Sequence, residues 1–288
     1  MEAAILINEG KADRAEVEQA LSSAGISGAV ELVAGRRIAA RAKELVKQGA
    51  KRIIVGGGDG SVGAAAQAVA GSDVTLGILP LGTLNHFARD LGIPFDLDQA
   101  AALIAKGHTR SVDVAEVNGR TFVNNSAIGL YPLMVVDRES QQRRLGRSKR
   151  LAMLVASLRT LARFHDSRLT LTTDEGRSSL DTPLLFVGNN DYRIAMPGAG
   201  QREALDDGHL CVLVMRKKGV PGFLAATACA LLGLSRENDM VRLDDVERLR
   251  VDSRQPTLAV SIDGETCRMT PPLDYRIRKA ALRVIAPA

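Results

Sequence analysis

The stretch from Ile53 to Ala70, "IIVGGGDGSVGAAAQAVA", runs from β-branched residues through Gly56, Gly57, Gly58, Asp59 and Gly60 into an alanine-rich tail. A buried strand that enters a glycine-rich turn and then a helix is the βα unit of an open α/β sheet. The sequence on either side repeats that rhythm. Apolar "AAILIN", "AVELVA", "KRIIVG" and "VTLGILP" alternate with the helical patterns "RAEVEQALSSA", "RIAARAKELVKQG", "SVGAAAQAVA" and "LNHFARDLG". Strands separated by helical patterns of about ten to fifteen residues imply right-handed crossovers and a parallel sheet.

From Asp113 onward the strands are closely spaced: "VDVAEV", "RTFVNNSA", "SRLTLTTDEGRSSL", "TPLLFVGN", "GHLCVLVMR" and "LAVSIDGETCRM". Asn118-Gly119 and Asp263-Gly264 between apolar runs are hairpin signals, which make this half antiparallel. The predicted fold class is α/β, with an N-terminal open parallel-sheet domain over residues 1–115 and a β-rich antiparallel, sandwich-like domain over residues 116–288. The last strand, Ala281 to Pro287, is open to pairing in either one.

A chain of 288 residues has room for two ordinary domains, and 45% apolar with 25% charged residues suits a soluble globular protein. The formal net charge of +5 suits an anionic partner such as a nucleotide or an acidic lipid surface. Aromatic residues make up 3% and Trp is absent, so the stacking platforms of single-strand nucleic-acid binders are missing and no nucleic-acid partner is expected. Cys211, Cys229 and Cys267 stand far apart without C-x-x-C spacing, which argues against a disulfide framework or zinc site and for a reducing cytoplasm. The N-terminus, "MEAAILINEGK", lacks the basic start and long apolar run of a signal peptide. The longest apolar run, "VPGFLAATACALLGL" from Val220 to Leu234, is too short for a transmembrane segment and reads as a buried helix, with a membrane-dipping helix as the alternative.

The glycines at 56, 57, 58 and 60 fall at the carboxyl edge of the parallel sheet, where open α/β folds bind ligands. Bare backbone N–H groups and the positive end of the helix dipole suit a phosphate there, so this is a nucleotide-binding candidate. The spacing fits neither G-x-G-x-x-G nor G-x-x-x-x-G-K-S, and Asp59 sits among the glycines. A carboxylate repels phosphate unless a divalent cation compensates, which points to phosphoryl transfer with Mg²⁺; the alternative is a helix N-cap or turn aspartate. The next strand ends in "GILPLGTLNHFARDLGIP", Gly77 to Pro94, and brings a second loop to the same edge. There Thr83 and Asn85 can offer a hydroxyl and an amide to phosphate or ribose, or can cap the helix that follows.

G-G-D-G-S at 57–61 followed by P-L-G-T-x-N-x-F-A-R at 80–89 resembles the diacylglycerol kinase catalytic-domain family, which includes bacterial lipid kinases and sphingosine kinases. The resemblance implies a nucleotide-binding domain followed by a β-rich domain, use of ATP and Mg²⁺, and phosphorylation of a lipid hydroxyl, diacylglycerol-like or sphingoid-like. Gly57, Gly58, Asp59, Gly60 and Ser61 match the family's phosphate loop G-G-D-G-T, with Ser in place of Thr, and Thr83 and Asn85 match its second loop. Asn8 and Gly10 in "INEGK" correspond to an N-terminal N-P-x-x-G nucleotide loop in which Glu9 replaces the proline. Asp263, Gly264 and Glu265 in "SIDGET" match a D-G-E motif whose carboxylates the resemblance makes catalytic base and support, although the residues alone read first as a hairpin turn. Asp207 in "LDDGHL" matches an aspartate that holds a structural Mg²⁺ in some members; the alternative is a tight turn with solvated acids. Asp59 is thus both a catalytic and a metal candidate. The pattern departs at Gly63 and Ala64, where Asn-Glu is common, and at His86, where Asp is common.

Arg143, Arg144, Arg147, Lys149 and Arg150 precede an apolar-periodic segment and read either as a solvated helix face or as a contact for an anionic bilayer. The four histidines, His86, His108, His165 and His209, show no metal spacing. The expected location is the cytoplasm, with peripheral contact at the inner membrane face through a lipid substrate. Two other readings compete. NAD kinases share G-G-D-G, and G-G-D-G-S-x-G-A also resembles the phosphofructokinase loop, which would make the chain a soluble-substrate kinase; "GTLNHFAR" departs from the G-T-x-D-N-D pattern of the latter. A non-catalytic nucleotide-binding protein is the third reading, motivated by Gly63, Ala64 and His86.

Overall fold

The strand β1 (Ala4–Asn8) has a parallel neighbour on each side, β2 (Val30–Val33) and β3 (Arg52–Gly57), and β3 pairs in the same sense with β4 (Thr75–Pro80). The computed structural model describes residues 3–129, 167–193, 200–216, 222 and 240–287. Within it the parallel strands belong to a first unit made of Met1–Asn124, Arg202–Gly208 and Arg278–Ala288. Ile53, Ile54 and Val55 are fully buried, as expected of a parallel strand covered on both faces. Each such side chain contributes about 1.5–3 kcal/mol by leaving water. The helices of this unit are α1 (Arg14–Ser23), α2 (Ile38–Lys47), α3 (Asp59–Val69), α4 (His86–Asp90) and α5 (Leu97–Lys106), followed by the strands β5 (His108–Val117) and β6 (Arg120–Phe122). Local chemistry sets their ends. Asp13 caps α1 by accepting the Ala15 amide at 2.8 Å, and Val17, Ala20 and Leu21 bury one face of that helix.

Two details depart from the sequence reading. The pattern "LNHFARDLG" predicts a longer helix than α4, which has five residues because Asn85 on one side and Gly92 on the other adopt positive φ. The helix α5 is absent from the predicted elements, yet Asp96 caps it by accepting the Gln99 amide at 3.0 Å and Gly107 ends it.

The second unit comprises Asn125–Gln201 and His209–Ile277. Its six-stranded antiparallel sheet has the order β12 (Met240–Val246), β11 (Leu210–Met215), β10 (Leu184–Asn189), β7 (Asn125–Gly129), β14 (Leu258–Ile262) and β15 (Glu265–Met269). A second antiparallel ladder joins β9 (Gly176–Thr182), β8 (Ser167–Thr173), β13 (Arg248–Ser253) and the first residues of β16 (Leu273–Ala286). The Ser126 and Tyr275 hydroxyls, 3.1 Å apart and buried, link β7 to β16 and so join the two layers. In β16, Leu273–Arg276 pair with β13, whereas Arg283 and Val284 lie parallel to β4 in the first unit. "RTFVNNSA", predicted as one strand, divides into β6 and β7, which belong to different units. β12, β13 and the first half of β16 are additions to the predicted strands.

The basic cluster at 143–150, Cys229 and the Val220 to Leu234 run apart from Gly222 lie outside the described residues. Among the described residues no helix is long and apolar enough to cross a membrane.

Candidate active site

Parallel pairing brings the carboxyl ends of β1, β3 and β4 to one edge, with Ile7 beside Gly56 and Gly57 beside Pro80. Three predicted site segments therefore meet there: Asn8, the glycine loop and the Pro80–Asn85 loop. The helix α3 begins directly at Asp59, with Gly58 as its extended N-cap. Gly58 has no side chain with which to satisfy the first-turn amides, which leaves that helix end available to an external anion. The N-cap reading of Asp59 is therefore corrected: it is the first helical residue, and its Oδ1 accepts the Phe87 amide of α4 at 3.4 Å. This is its one hydrogen-bond partner among the described residues.

The loops are fixed against each other. The Leu81 amide donates to the Gly57 carbonyl at 2.9 Å. A Cβ built on Gly82 would lie 2.4 Å from the Gly58 Cα, and one built on Gly57 would lie 2.5 Å from the Ser61 hydroxyl. Glycine is thus required here for close backbone approach as well as for any ligand. Asn8 donates from Nδ2 to the Ser61 Oγ at 2.7 Å, tying the end of β1 to the first turn of α3.

Asn85 behaves differently from either sequence reading. It is buried in the left-handed region at φ 49°, and its side chain makes no cap. Its Nδ2 donates to the Pro80 carbonyl at 3.1 Å and to the Gly82 carbonyl at 2.9 Å, while Oδ1 accepts the Gly82 amide at 3.0 Å. Both amide protons are committed to shaping the loop. Thr83 is exposed beside it, and Leu84 is 61% exposed. His86 accepts through Nδ1 from Arg89 Nη2 at 2.8 Å.

Sequence reasoning missed the support behind α4. The Arg202 side chain is fully buried and its Nε donates to Asp90 Oδ2 at 2.8 Å. It also donates to the Val123 carbonyl at 2.5 Å and to Asn124 Oδ1 at 3.0 Å, with its guanidinium carbon 5.8 Å from the centre of the Phe87 ring. A buried carboxylate, Asp113, accepts the Gly208 amide at 2.8 Å and the Ala280 amide at 2.7 Å. These contacts hold the 205–208 segment as a turn, with Gly208 at φ 78° and Asp206 paired with Arg110 at 2.9 Å. Asp207 is exposed, and no group of three or more His, Cys, Asp or Glu gathers for a metal among the described residues.

In the second unit, Asp263 and Gly264 form the two-residue loop between β14 and β15, both at positive φ. The hairpin-turn reading of Asp263-Gly264 holds. Asp263 Oδ1 accepts the Asn125 amide at 3.2 Å, and the Asp263 amide donates to the Asn125 carbonyl at 2.9 Å, which fixes the carboxylate on β7. Glu265 is exposed at the start of β15. Mg²⁺ usually binds through one or two carboxylates together with substrate phosphates rather than in an all-protein cage. A lone Asp59 at a helix start fits that donor set.

An open parallel-sheet unit with paired glycine loops at its carboxyl edge, followed by an antiparallel β unit with a D-G-E hairpin, is the layout that the resemblance to the diacylglycerol kinase catalytic-domain family implies. Residues 6–117 match the family model described as the diacylglycerol kinase catalytic domain, and residues 134–286 match the YegS C-terminal NAD kinase beta sandwich-like domain. The chain belongs to this lipid kinase family. It is 30% identical over 287 residues to the "Probable lipid kinase YegS-like" protein of Pseudomonas aeruginosa strain PAO1, covering 90% of this chain and 88% of that one. The "Diacylglycerol kinase" of Bacillus subtilis strain 168 is 26% identical over 233 residues, covering 80% and 76%. A diacylglycerol kinase structure from Bacillus anthracis shares the fold at TM-score 0.69 and 22% identity, covering 99% of this chain and 96% of that chain. An NAD kinase from Archaeoglobus fulgidus, solved with ATP, shares it more distantly, at TM-score 0.55 and 11% identity over 100% and 94%.

Proposed function

We propose that the chain transfers the γ-phosphoryl group of ATP to the hydroxyl of a lipid, with Mg²⁺ as the metal. The observation that carries this reading is the locked pair of loops at the sheet edge, with Asp59 at the first position of α3 and bonded to the amide of Phe87. Gly57, Gly58, Gly60 and Thr83 bind the nucleotide phosphates through backbone amides and a hydroxyl. Asn8 and Ser61, bonded to each other, and Asn85, bonded to the Gly82 and Pro80 backbone, shape those loops. Asp59 holds the metal, and Mg²⁺ bound with the nucleotide supplies charge neutralisation at the phosphate oxygens. Asp263, oriented by Asn125, or the adjacent Glu265 accepts the proton of the acceptor hydroxyl. Positioning and charge complementarity account for most phosphoryl-transfer catalysis, which suits a site built from fixed backbone.

A lipid acceptor sets the reaction at a membrane surface, and the free thiols of Cys211 and Cys267 suit a reducing cytoplasm. Incubation of the purified chain with γ-labelled ATP and either mixed lipid micelles, NAD⁺ or fructose 6-phosphate separates the readings. Label in the lipid alone is expected. Label in NAD⁺ or the sugar phosphate would refute the lipid assignment, and label in none would favour the non-catalytic reading.

A further inference from the structure

The helix α2 and the turns that flank it carry the chain's excess of positive charge. Residues 30–52 hold seven Lys and Arg against two Glu, a net +5, and the whole chain is also +5, so the charges of the remaining residues balance. The two carboxylates are spent locally, because Arg41 pairs with Glu31 at 2.9 Å and with Glu44 at 3.0 Å. The first of these pairs ties α2 to β2, the end strand of its sheet, where Leu32 is 41% exposed. Arg36, Arg37, Lys43, Lys47 and Lys51 are exposed and form no ion pair among the described residues.

The needs of the helix do not explain this pattern. Ile38 and Ala42 are fully buried and Leu45 and Val46 pack against the core, which is what holds α2 in place. Its first turn has no acid and no side-chain cap, and Arg36 and Arg37 stand at the N-terminal end, where the helix dipole disfavours cations. Lys43 and Lys47 are four residues apart on the helix, a spacing at which like charges repel. Four of the five unpaired cations thus sit against the electrostatics of the helix itself, and an anionic partner reverses that penalty. Ten helical residues rise about 15 Å, within two Debye lengths at physiological salt, so these cations act together on one surface.

We propose that the outward face of α2, with Arg36, Arg37 and Lys51 at its ends, docks the first unit on an anionic phospholipid bilayer. The choice of a bilayer rests on the lipid kinase reading above, whose acceptor lies in a membrane. Residues 30–52 include no aromatic side chain, so this face lacks the stacking groups that single-strand nucleic-acid surfaces use. Each Lys or Arg held near an anionic leaflet strengthens attachment about fivefold. Leu32 adds an apolar side chain that can enter the headgroup layer.

Sedimentation of the full chain with sucrose-loaded vesicles tests this, with phosphatidylcholine alone compared with an equal mixture of phosphatidylcholine and phosphatidylglycerol. The wild type is expected on the mixed vesicles and not on phosphatidylcholine, and high salt is expected to release it. Lys43→Gln, Lys47→Gln and Lys51→Gln combined are expected to weaken binding about 10²-fold. Arg177→Gln, Arg248→Gln and Arg254→Gln combined remove the same charge from exposed sites of the second unit and are expected to leave binding nearly unchanged. No binding of the wild type to the mixed vesicles, a loss below about tenfold in the lysine variant, or an equal loss in both variants overturns the inference. Tighter binding to a DNA duplex than to the mixed vesicles, lost in the lysine variant, assigns the face to nucleic acid and overturns the bilayer. Turnover of dioctanoylglycerol in uncharged detergent micelles, measured alongside, is expected to be equal in the wild type and the lysine variant. Its absence in both, with vesicle binding intact, overturns the lipid kinase reading and leaves the docking face standing.

Discussion

Replacing Arg202 by methionine removes the close partner of a buried ion pair and leaves the Asp90 carboxylate, 4% exposed, with the half-exposed Arg89 at 3.9 Å as its remaining counter-charge. Removing the close partner of a buried charge costs about 3–5 kcal/mol, well above the ~0–1 kcal/mol of a surface pair such as the one left with Arg89. The Val123 carbonyl and Asn124 Oδ1 lose donors at the same time, and Phe87 loses the cation beside its ring. Because the Phe87 amide is what Asp59 accepts, loosening α4 also loosens the proposed metal ligand. Hydrogen exchange resolves the effect by region. Peptides spanning residues 86–93 and 120–124 are expected to lose protection by roughly 10²- to 10³-fold, from about 1.4 kcal/mol per tenfold. Peptides from β8 and β10 in the second unit serve as the control and stay unchanged. A double variant, Arg202→Met with Asp90→Leu, removes both charges and is expected to recover most of the loss. Loss below tenfold in the single variant, or no recovery in the double, refutes the assignment of Arg202 as the buried anchor of α4.

Gly82→Ala drives a Cβ to 2.4 Å from the Gly58 Cα, a backbone atom that cannot rotate away, so the two loops separate. A cost of about 1–3 kcal/mol is expected, read as a tenfold or greater rise in the ATP KM. Burial pushes the Tyr275 hydroxyl well above the ordinary tyrosine range, outweighing the hydrogen bond with Ser126. A raised pKa means that the folded chain keeps a proton the unfolded chain releases, so its stabilising effect is full below about pH 10 and falls as pH rises above it. Chemical denaturation at pH 9 and pH 11 should show that loss at about 1.4 kcal/mol per pH unit, and Tyr275→Phe should flatten it.

The parallel unit was legible because its strands and helices repeat with clear periods and its ends have local signals. Even α5 was available from Asp96, Gln99 and Gly107. The polar edge strand β12 and the interior strand β13 were not, since charged residues such as Arg242, Arg248 and Arg250 interrupt their apolar runs. At the site, the sequence identified the loops but assigned their glycines to phosphate approach; the contact of Gly58 with Gly82 adds a packing reason that no single loop encodes. Asn85 was read as a ligand or cap because nothing local reveals that its side chain folds back on Pro80 and Gly82. Arg202 with Asp90 and Asp113 with Gly208 are separated by 112 and 95 residues. Such partners are set by topology, and a single sequence carries no local trace of them.

The central claim is that Asp59 holds the metal of a Mg-ATP site. Asp59→Asn keeps an acceptor for the Phe87 amide and removes the charge, so steady-state kinetics with varied ATP and Mg²⁺ isolates the metal role. The expected result is a fall in kcat of about 10²- to 10³-fold, with the ATP KM within about threefold of wild type and a higher Mg²⁺ requirement. A wild-type kcat at ordinary Mg²⁺ concentration would contradict it.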